Sequence, residues 1–208
     1  IRKNQKYVNM IHILGTGSMG CLWAAHLSHS TSICFISRKP IANKNKQFTL
    51  HSPLKKTNLH YQIPTLSAQE ILAQDSSNTI NTLLVCTKSY DTLSALNQLK
   101  PKLSEQCLIV LFQNGLGSQY DVLKAFPKNP IFAAVSTEGA NKKSENDFIH
   151  AGVGETKLGL LTKTDQPLLD HCHEQLTASK LIVHQHPDIW QALWTKLVIN
   201  CDINPFTA

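Results

Sequence analysis

Charged side chains are scarce in this chain, at 16% of its 208 residues, and glycine and proline stand at nine each. Those proportions fit neither a disordered nor a collagen-like polymer, and the 42% apolar content is that of an ordinary globular protein. Long apolar runs are missing. Residues 108–112 fall far short of the ~18 to 20 needed to cross a bilayer, which excludes a membrane-spanning helix and argues against a membrane partner. The opening IRKNQKYVNM lacks an apolar core ending in small residues and does not read as a secretory leader. Met10 behind Ile1 points either to a start at Met10 or to further residues upstream. CxxC pairs are absent too. The six cysteines (Cys21, Cys34, Cys86, Cys107, Cys172 and Cys201) are dispersed, several within apolar runs, and are expected to be buried, reduced thiols of a cytoplasmic protein. The excess of 20 Lys+Arg over 14 Asp+Glu, +6 at pH 7, is scattered and forms no arginine stripe with interleaved aromatics. A nucleic-acid partner is therefore disfavoured.

What is present is an alternation of two periods. Short β-branched runs at residues 8–14, 31–37, 82–87, 107–112 and 131–136 are too continuously apolar to have one wet face, so they predict strands covered on both sides. Between them, apolar residues recur three and four apart at 18–29, 68–74, 92–99, 118–125, 166–179 and 188–204, which predicts helices. The fold class is α/β, with a Rossmann-like, mostly parallel sheet carrying helices on both faces. A polar tail (1–9) precedes a dinucleotide-binding domain (10–187), and 188–208 opens a second unit. Residues 39–64 have weak periodicity and read as irregular strands or loop. FIHAGVGETKLG, residues 148–159, reads as a hairpin or bulged strand closing the sheet edge. Asp188 after Pro187 is placed to cap the last helix. Because the chain stops at Ala208, four residues after that helix should end, a further C-terminal portion is expected.

The first strand runs into Gly15-Thr16-Gly17-Ser18-Met19-Gly20 and then the helical CLWAAHLS. This is G-x-G-x-x-G in a strand–turn–helix setting. Gly15 permits the tight turn, Gly17 lets a diphosphate approach the backbone, and Gly20 allows close helix-to-strand packing. The second strand ends in Ser37-Arg38-Lys39, where an NAD-selective site would place a carboxylate for the ribose 2′-hydroxyl. A hydroxyl and two cations suit a 2′-phosphate instead, so NADP(H) is favoured over NAD(H). The missing acid also counts against S-adenosylmethionine. The alternative is a solvated basic loop.

In an open parallel sheet, ligands sit beyond the carboxyl ends of the strands. Lys88 follows TLLVCT, and Asn114-Gly115 follows CLIVLFQ. Each has a plain reading, as a surface lysine heading a helix or an Asn-Gly turn, and their shared location is what favours a site. In the last helix Lys196, Asn200 and Asn204 fall at i, i+4 and i+8, within about 80° on one face. Asparagine is a poor helix former, so two in line with a lysine beside an apolar face point to a site more than to a solvated stripe. Pro205 is expected to push Asn204 out of helical geometry. His184 and His186 share a strand face but have no third ligand in register, so no metal is expected. His12 and His150 read as core or sheet-edge residues.

These residues together resemble the ketopantoate reductase (2-dehydropantoate 2-reductase) family. The resemblance rests on GTGSMG, Lys88, the QNG at 113–115, Gly139-Ala140, the H-A-G-x-G at 150–154 and, above all, W-x-K-L-x-x-N-x-x-x-N-P-x-T-A at 194–208. It implies NADPH-dependent reduction of 2-dehydropantoate to (R)-pantoate, in pantothenate and coenzyme A biosynthesis in the cytoplasm. By position, Lys196 matches the proton donor, Asn200 and Asn204 match substrate contacts, and Lys88, Asn114 and Ala140 match cofactor contacts, with Asn114 also near substrate. The family has an all-helical C-terminal domain that this chain only begins, and the family's later serine and glutamate have no counterpart here. A non-catalytic NADP(H)-binding module or sensor is the rival reading, and a related branched 2-keto acid is the rival substrate. Oligomeric state is not legible, and a homodimer is one arrangement open to it.

Overall fold

The computed structural model describes residues 10–53, 56–162 and 165–207, with the backbone alone for 202–207. Its parallel centre is built from the continuously apolar runs: β1 (Met10–Leu14), β2 (Ser32–Ser37), β5 (Ile80–Val85), β6 (Leu103–Leu111) and β7 (Ile131–Ser136). In β7 every residue is buried, β1, β2 and β5 are buried along their central residues and β6 from Cys107 onward, as two-sided cover requires. The strands lie in one 11-stranded, mostly parallel sheet with the order β11-β10-β7-β6-β5-β1-β2-β4-β3-β9-β8. Here β3 is Asn45–Ser52, β4 Thr57–Ser67, β8 Gly139–Lys142, β9 Asp147–Gly152, β10 Glu155–Leu160 and β11 Ile182–Gln185.

The helices divide between the two faces. On one, α1 (Ser18–Leu27) and α5 (Gln166–Thr177) join a core around Phe35, Phe132 and Phe148. On the other, α2 (Ala68–Leu72), α3 (Ser89–Leu99), α4 (Ser118–Ala125) and α6 (Ile189–Thr207) cover Leu83, Val85 and Ile109. In α5 the buried Leu169, Cys172 and Leu176 form one stripe, and Asp165 caps the helix by accepting from Leu168 N at 3.2 Å. Helix α1 is apolar all round, and its Leu22, Trp23, Ala24, Ala25 and Leu27 are fully buried. Each fully buried large side chain stabilises the fold by about 1.5–3 kcal/mol before conformational entropy is counted.

The cover over α1 comes from two segments that the sequence reading placed differently. Residues 39–64, expected as loop or irregular strands, contain β3 and most of β4, an antiparallel pair in continuous register from Asn45↔Pro64 to Ser52↔Thr57. Burial alternates along β3 at Phe48, Leu50 and Ser52, and the interleaved His and Asn that weakened the hydropathy signal sit on the wet face. Residues 148–159, expected as a hairpin or bulged strand closing the edge, are two strands in different parts of the sheet. β9 pairs with β3 and β8, β10 pairs with β7 and β11, and the edges are β8 and β11. Gly154 makes the break, because a Cβ there would lie 2.4 Å from Thr137 C. With β9 and β10 at opposite ends of the strand order yet only residues 153–154 apart, the sheet has to curl, and it curls around α1.

Helix α6 starts one residue after Asp188, whose Oδ1 accepts from Gln191 N at 3.2 Å, as expected of a cap. It runs through Pro205 to Thr207, past the predicted end at Asn204. Asn204 therefore stays within the helical span, where Pro205 was expected to push it out of helical geometry. Among the described residues all six cysteines are free. Cys201 on α6 is exposed and Cys86 half-buried, contrary to the expectation for those two. No helix of the described residues is long and apolar enough to cross a membrane.

Candidate functional site

The glycine turn has the backbone geometry of an anion cradle. Gly15 sits at φ +107°, and a Cβ there would approach the Cys86 carbonyl to 3.0 Å. Gly20 packs so closely that its Cβ would lie 2.2 Å from Gly15 O. Gly17, at φ −80°, has nothing within 4 Å of where its Cβ would be, and no side chain caps α1 at that position. The helix therefore presents unsatisfied N–H groups and the positive end of its dipole to open space, beside Ser18 and Met19 of its first turn. Cys21 Sγ bonds Thr16 O at 3.5 Å, and burial pushes its thiol up to about 12.

A cavity of about 280 Å³ adjoins this turn, lined in part by Gly15, Thr16, Ser37, Arg38, Thr87 and Asp91. Arg38 Nη2 lies 2.7 Å from Asp91 Oδ2. Asp91 reaches the pocket from α3, 53 positions beyond Arg38, where no local pattern could announce it. Gln113, first residue of the QNG motif, takes a bracing position that the motif alone did not reveal. Its Nε2 donates to Val85 O (2.9 Å) and Thr87 O (3.2 Å), tying the ends of β5 and β6 together, while its buried Oε1 has no partner among the described residues.

A second cavity, about 600 Å³, opens between the ends of β7 and β10 and helix α6. Ser136, Glu138, Glu155, Lys157, Lys196 and Asn200 contribute to its lining. The half-buried Lys196 Nζ donates to the Ser136 carbonyl, and burial lowers its pKa below the ordinary 10.5. Behind that carbonyl lies a buried polar chain. Thr156 Oγ1 donates to Ser136 Oγ (2.9 Å), Ser136 Oγ accepts from Glu138 N (3.2 Å), and Glu138 Oε2 lies 2.6 Å from His150 Nε2. His150 and His12 are both buried, in keeping with the sequence reading.

A family match decides what this arrangement is related to: the sequence fits the family described as ketopantoate reductase PanE/ApbA over residues 11–163. The chain belongs to this family. The 2-dehydropantoate 2-reductase of Vibrio cholerae is 29% identical over 199 residues, covering 95% of this chain and 62% of that protein. The crystal structure of the Geobacter metallireducens 2-dehydropantoate 2-reductase matches with a TM-score of 0.78 at 21% identity, over 92% of this chain and 62% of that one. A D-mandelate dehydrogenase solved with NADH and anilino(oxo)acetate matches with a TM-score of 0.79 at 16% identity, over 92% of this chain and 61% of that one. At such identities the structural likeness speaks for the fold alone. The chain thus spans about 62% of the length of the curated relative it matches.

On this ketopantoate reductase scaffold the residues singled out from sequence form two groups. Gly15, Thr16, Ser37 and Arg38 share the first cavity, with Gly17, Ser18, Met19 and Gly20 on the adjoining turn, and Lys196 and Asn200 share the second. Lys88 is the exposed N-cap of α3, Asn114 is exposed beyond β6, and Ala140 pairs with His150 across β8 and β9. None of these three lines either cavity. The Asn204 side chain lies outside the described residues. Among the described residues no group of three or more His, Cys, Asp or Glu side chains could hold a metal ion.

Proposed function

We propose that this chain takes part in the NADPH-dependent reduction of 2-dehydropantoate, a small 2-keto acid, to (R)-pantoate in pantothenate and coenzyme A biosynthesis. The observation that carries this reading is the half-buried Lys196 ammonium at the mouth of a cavity shared with Asn200, on the fold and family that the comparisons identify. The α1 N-terminus with Gly15, Thr16, Gly17, Ser18, Met19 and Gly20 would hold the diphosphate, and Ser37 and Arg38 the 2′-phosphorylated ribose. Lys88, Asn114 and Ala140 would complete the nicotinamide end. When bound, the dinucleotide supplies the hydride. Lys196 then donates a proton from Nζ to the substrate's carbonyl oxygen, and its positive charge stabilises the alkoxide that develops there. Ser136 O orients the ammonium, since a carbonyl accepts one of its three N–H bonds and leaves two for substrate. Asn200 and Asn204, with Asn114, would orient the keto acid by hydrogen bonds.

Desolvation of the lysine has a chemical purpose in this scheme, because it makes the ammonium a stronger acid than a solvated one. The expected setting is cytoplasmic, with no nucleic-acid or membrane partner. Residues 10–187 form the nucleotide-binding part and 188–208 begin the part that faces substrate. The test is a fluorescence titration of NADPH followed by addition of 2-dehydropantoate. Binding and oxidation support the reaction, and Lys196→Ala should lower turnover by about a hundredfold or more with NADPH binding intact. Binding without oxidation would leave a nucleotide-binding module or sensor, and no binding would overturn both.

A further inference from the structure

The second strand of this fold ends at Ser37 and Arg38 without the carboxylate that reads an unphosphorylated ribose, but the tertiary structure brings one there from another element. Asp91, in the first turn of α3, lines the same cavity as Gly15, Thr16, Ser37 and Arg38, and its Oδ2 lies 2.7 Å from Arg38 Nη2. We propose that Asp91 is a second coenzyme-selecting residue. Its carboxylate accepts from the ribose 2′-hydroxyl and holds Arg38, so the choice between 2′-phosphorylated and unphosphorylated dinucleotides is set by the pair.

A guanidinium grips a phosphate best with two parallel N–H groups. With Asp91 bound at Nη2, one donor is occupied and much of the positive charge is neutralised within hydrogen-bond distance. An incoming 2′-phosphate must share Arg38 with a carboxylate or displace it, and in either case it meets a like charge a few ångströms away. A 2′-hydroxyl meets the opposite situation, since it has a proton to donate and Asp91 is a ready acceptor. The pair belongs to the pocket more than to the fold. The Arg38 and Asp91 side chains are 75% and 35% exposed, and pairs so open contribute little to stability, so variants at either position should fold.

The inference rests on the dinucleotide-binding reading above, and the experiment separates the two. Kd values for NADPH and for NADH are measured by fluorescence titration of the whole chain in wild type, Asp91→Asn, Asp91→Glu and Arg38→Ala. Asp91→Asn should raise the NADPH preference over NADH by about tenfold, on the scale of one charge-assisted hydrogen bond, through tighter NADPH and weaker NADH binding. Asp91→Glu should stay near wild type, and Arg38→Ala should shift the preference toward NADH. An unchanged preference in Asp91→Asn overturns the proposal, as does a fall in NADPH affinity, which would make Asp91 only a strut for Arg38. In both cases the wild type still binds, so the functional reading stands. If wild type binds neither dinucleotide, both fall.

Discussion

Two glycines of one turn should respond to the same methyl group in opposite ways. At Gly17 the backbone, φ −80° and ψ −171°, is one that alanine adopts without strain, and nothing lies within 4 Å of the new Cβ. Gly17→Ala should therefore leave folding within about 0.5 kcal/mol of wild type. The methyl would stand in the open space in front of the α1 N–H groups, however, and hold a diphosphate off by more than the reach of a hydrogen bond. Loss of one or two charge-assisted bonds, about 1.5–3 kcal/mol each, should weaken NADPH binding by about tenfold to a hundredfold or more. At Gly20 the Cβ would fall 2.2 Å from Gly15 O, so α1 must retreat from β1 by most of an ångström. Overpacking of that kind costs about 1–3 kcal/mol, or about 2–4 °C in Tm per kcal/mol for a chain of this size. Thermal unfolding by circular dichroism and NADPH titration measure the two effects. Wild-type NADPH affinity in Gly17→Ala would refute the claim that the turn faces the diphosphate, and an unmoved Tm in Gly20→Ala would refute the close helix-to-strand approach.

Burial holds the His12 imidazole down at about 4 instead of 6.5, so below pH 6.5 the unfolded chain takes up a proton that the folded chain refuses. Its contribution to stability is complete above pH 6.5 and should fall by about 3 kcal/mol on acidification to pH 4, with His12→Gln flattening that limb in urea titrations. His150→Leu leaves the buried Glu138 carboxyl without the hydrogen-bonded partner it has among the described residues and should cost about 3–5 kcal/mol, read from the midpoint of urea unfolding. Because burial lowers the Lys196 pKa, the proton-donating form disappears as pH rises through a value below 10.5, and the alkaline limb of turnover should begin earlier than for a solvated lysine. Lys196→Arg, charged throughout this range but far too weak an acid to replace the ammonium, should lower turnover and leave no such limb in what remains.

The legible parts of the fold were those with an unmixed signal. Helix α4 was read at residues 118–125 and β7 at 131–136, with the bounds they have in the structure, because each is a short periodic run between glycine or proline and polar turns. β6 begins at Leu103, four residues before the predicted start, because Ser104, Glu105 and Gln106 are polar residues on its open end. Residues 39–64 were opaque because β3 and β4 bury only one face under α1 and the other carries His, Asn and Lys. The division of 148–159 between β9 and β10 was opaque for a different reason. Nothing local distinguishes two strands paired with each other from two that part at a glycine.

By itself the sequence determined the glycine turn, the cation at the end of the second strand and the line of Lys196, Asn200 and Asn204. Each is a local pattern whose chemistry follows from residue type and from the 2.0 or 3.6 residue period. The curl of the sheet around α1, the meeting of Asp91 with Arg38, the clasp of Gln113 on β5 and the Glu138–His150 pair behind Lys196 were decided only by the tertiary structure. The side-chain contacts among these join residues from 12 positions apart, as Glu138 and His150, to 53, as Arg38 and Asp91, and the curl pairs strands still farther apart in the chain, information that no window of sequence contains.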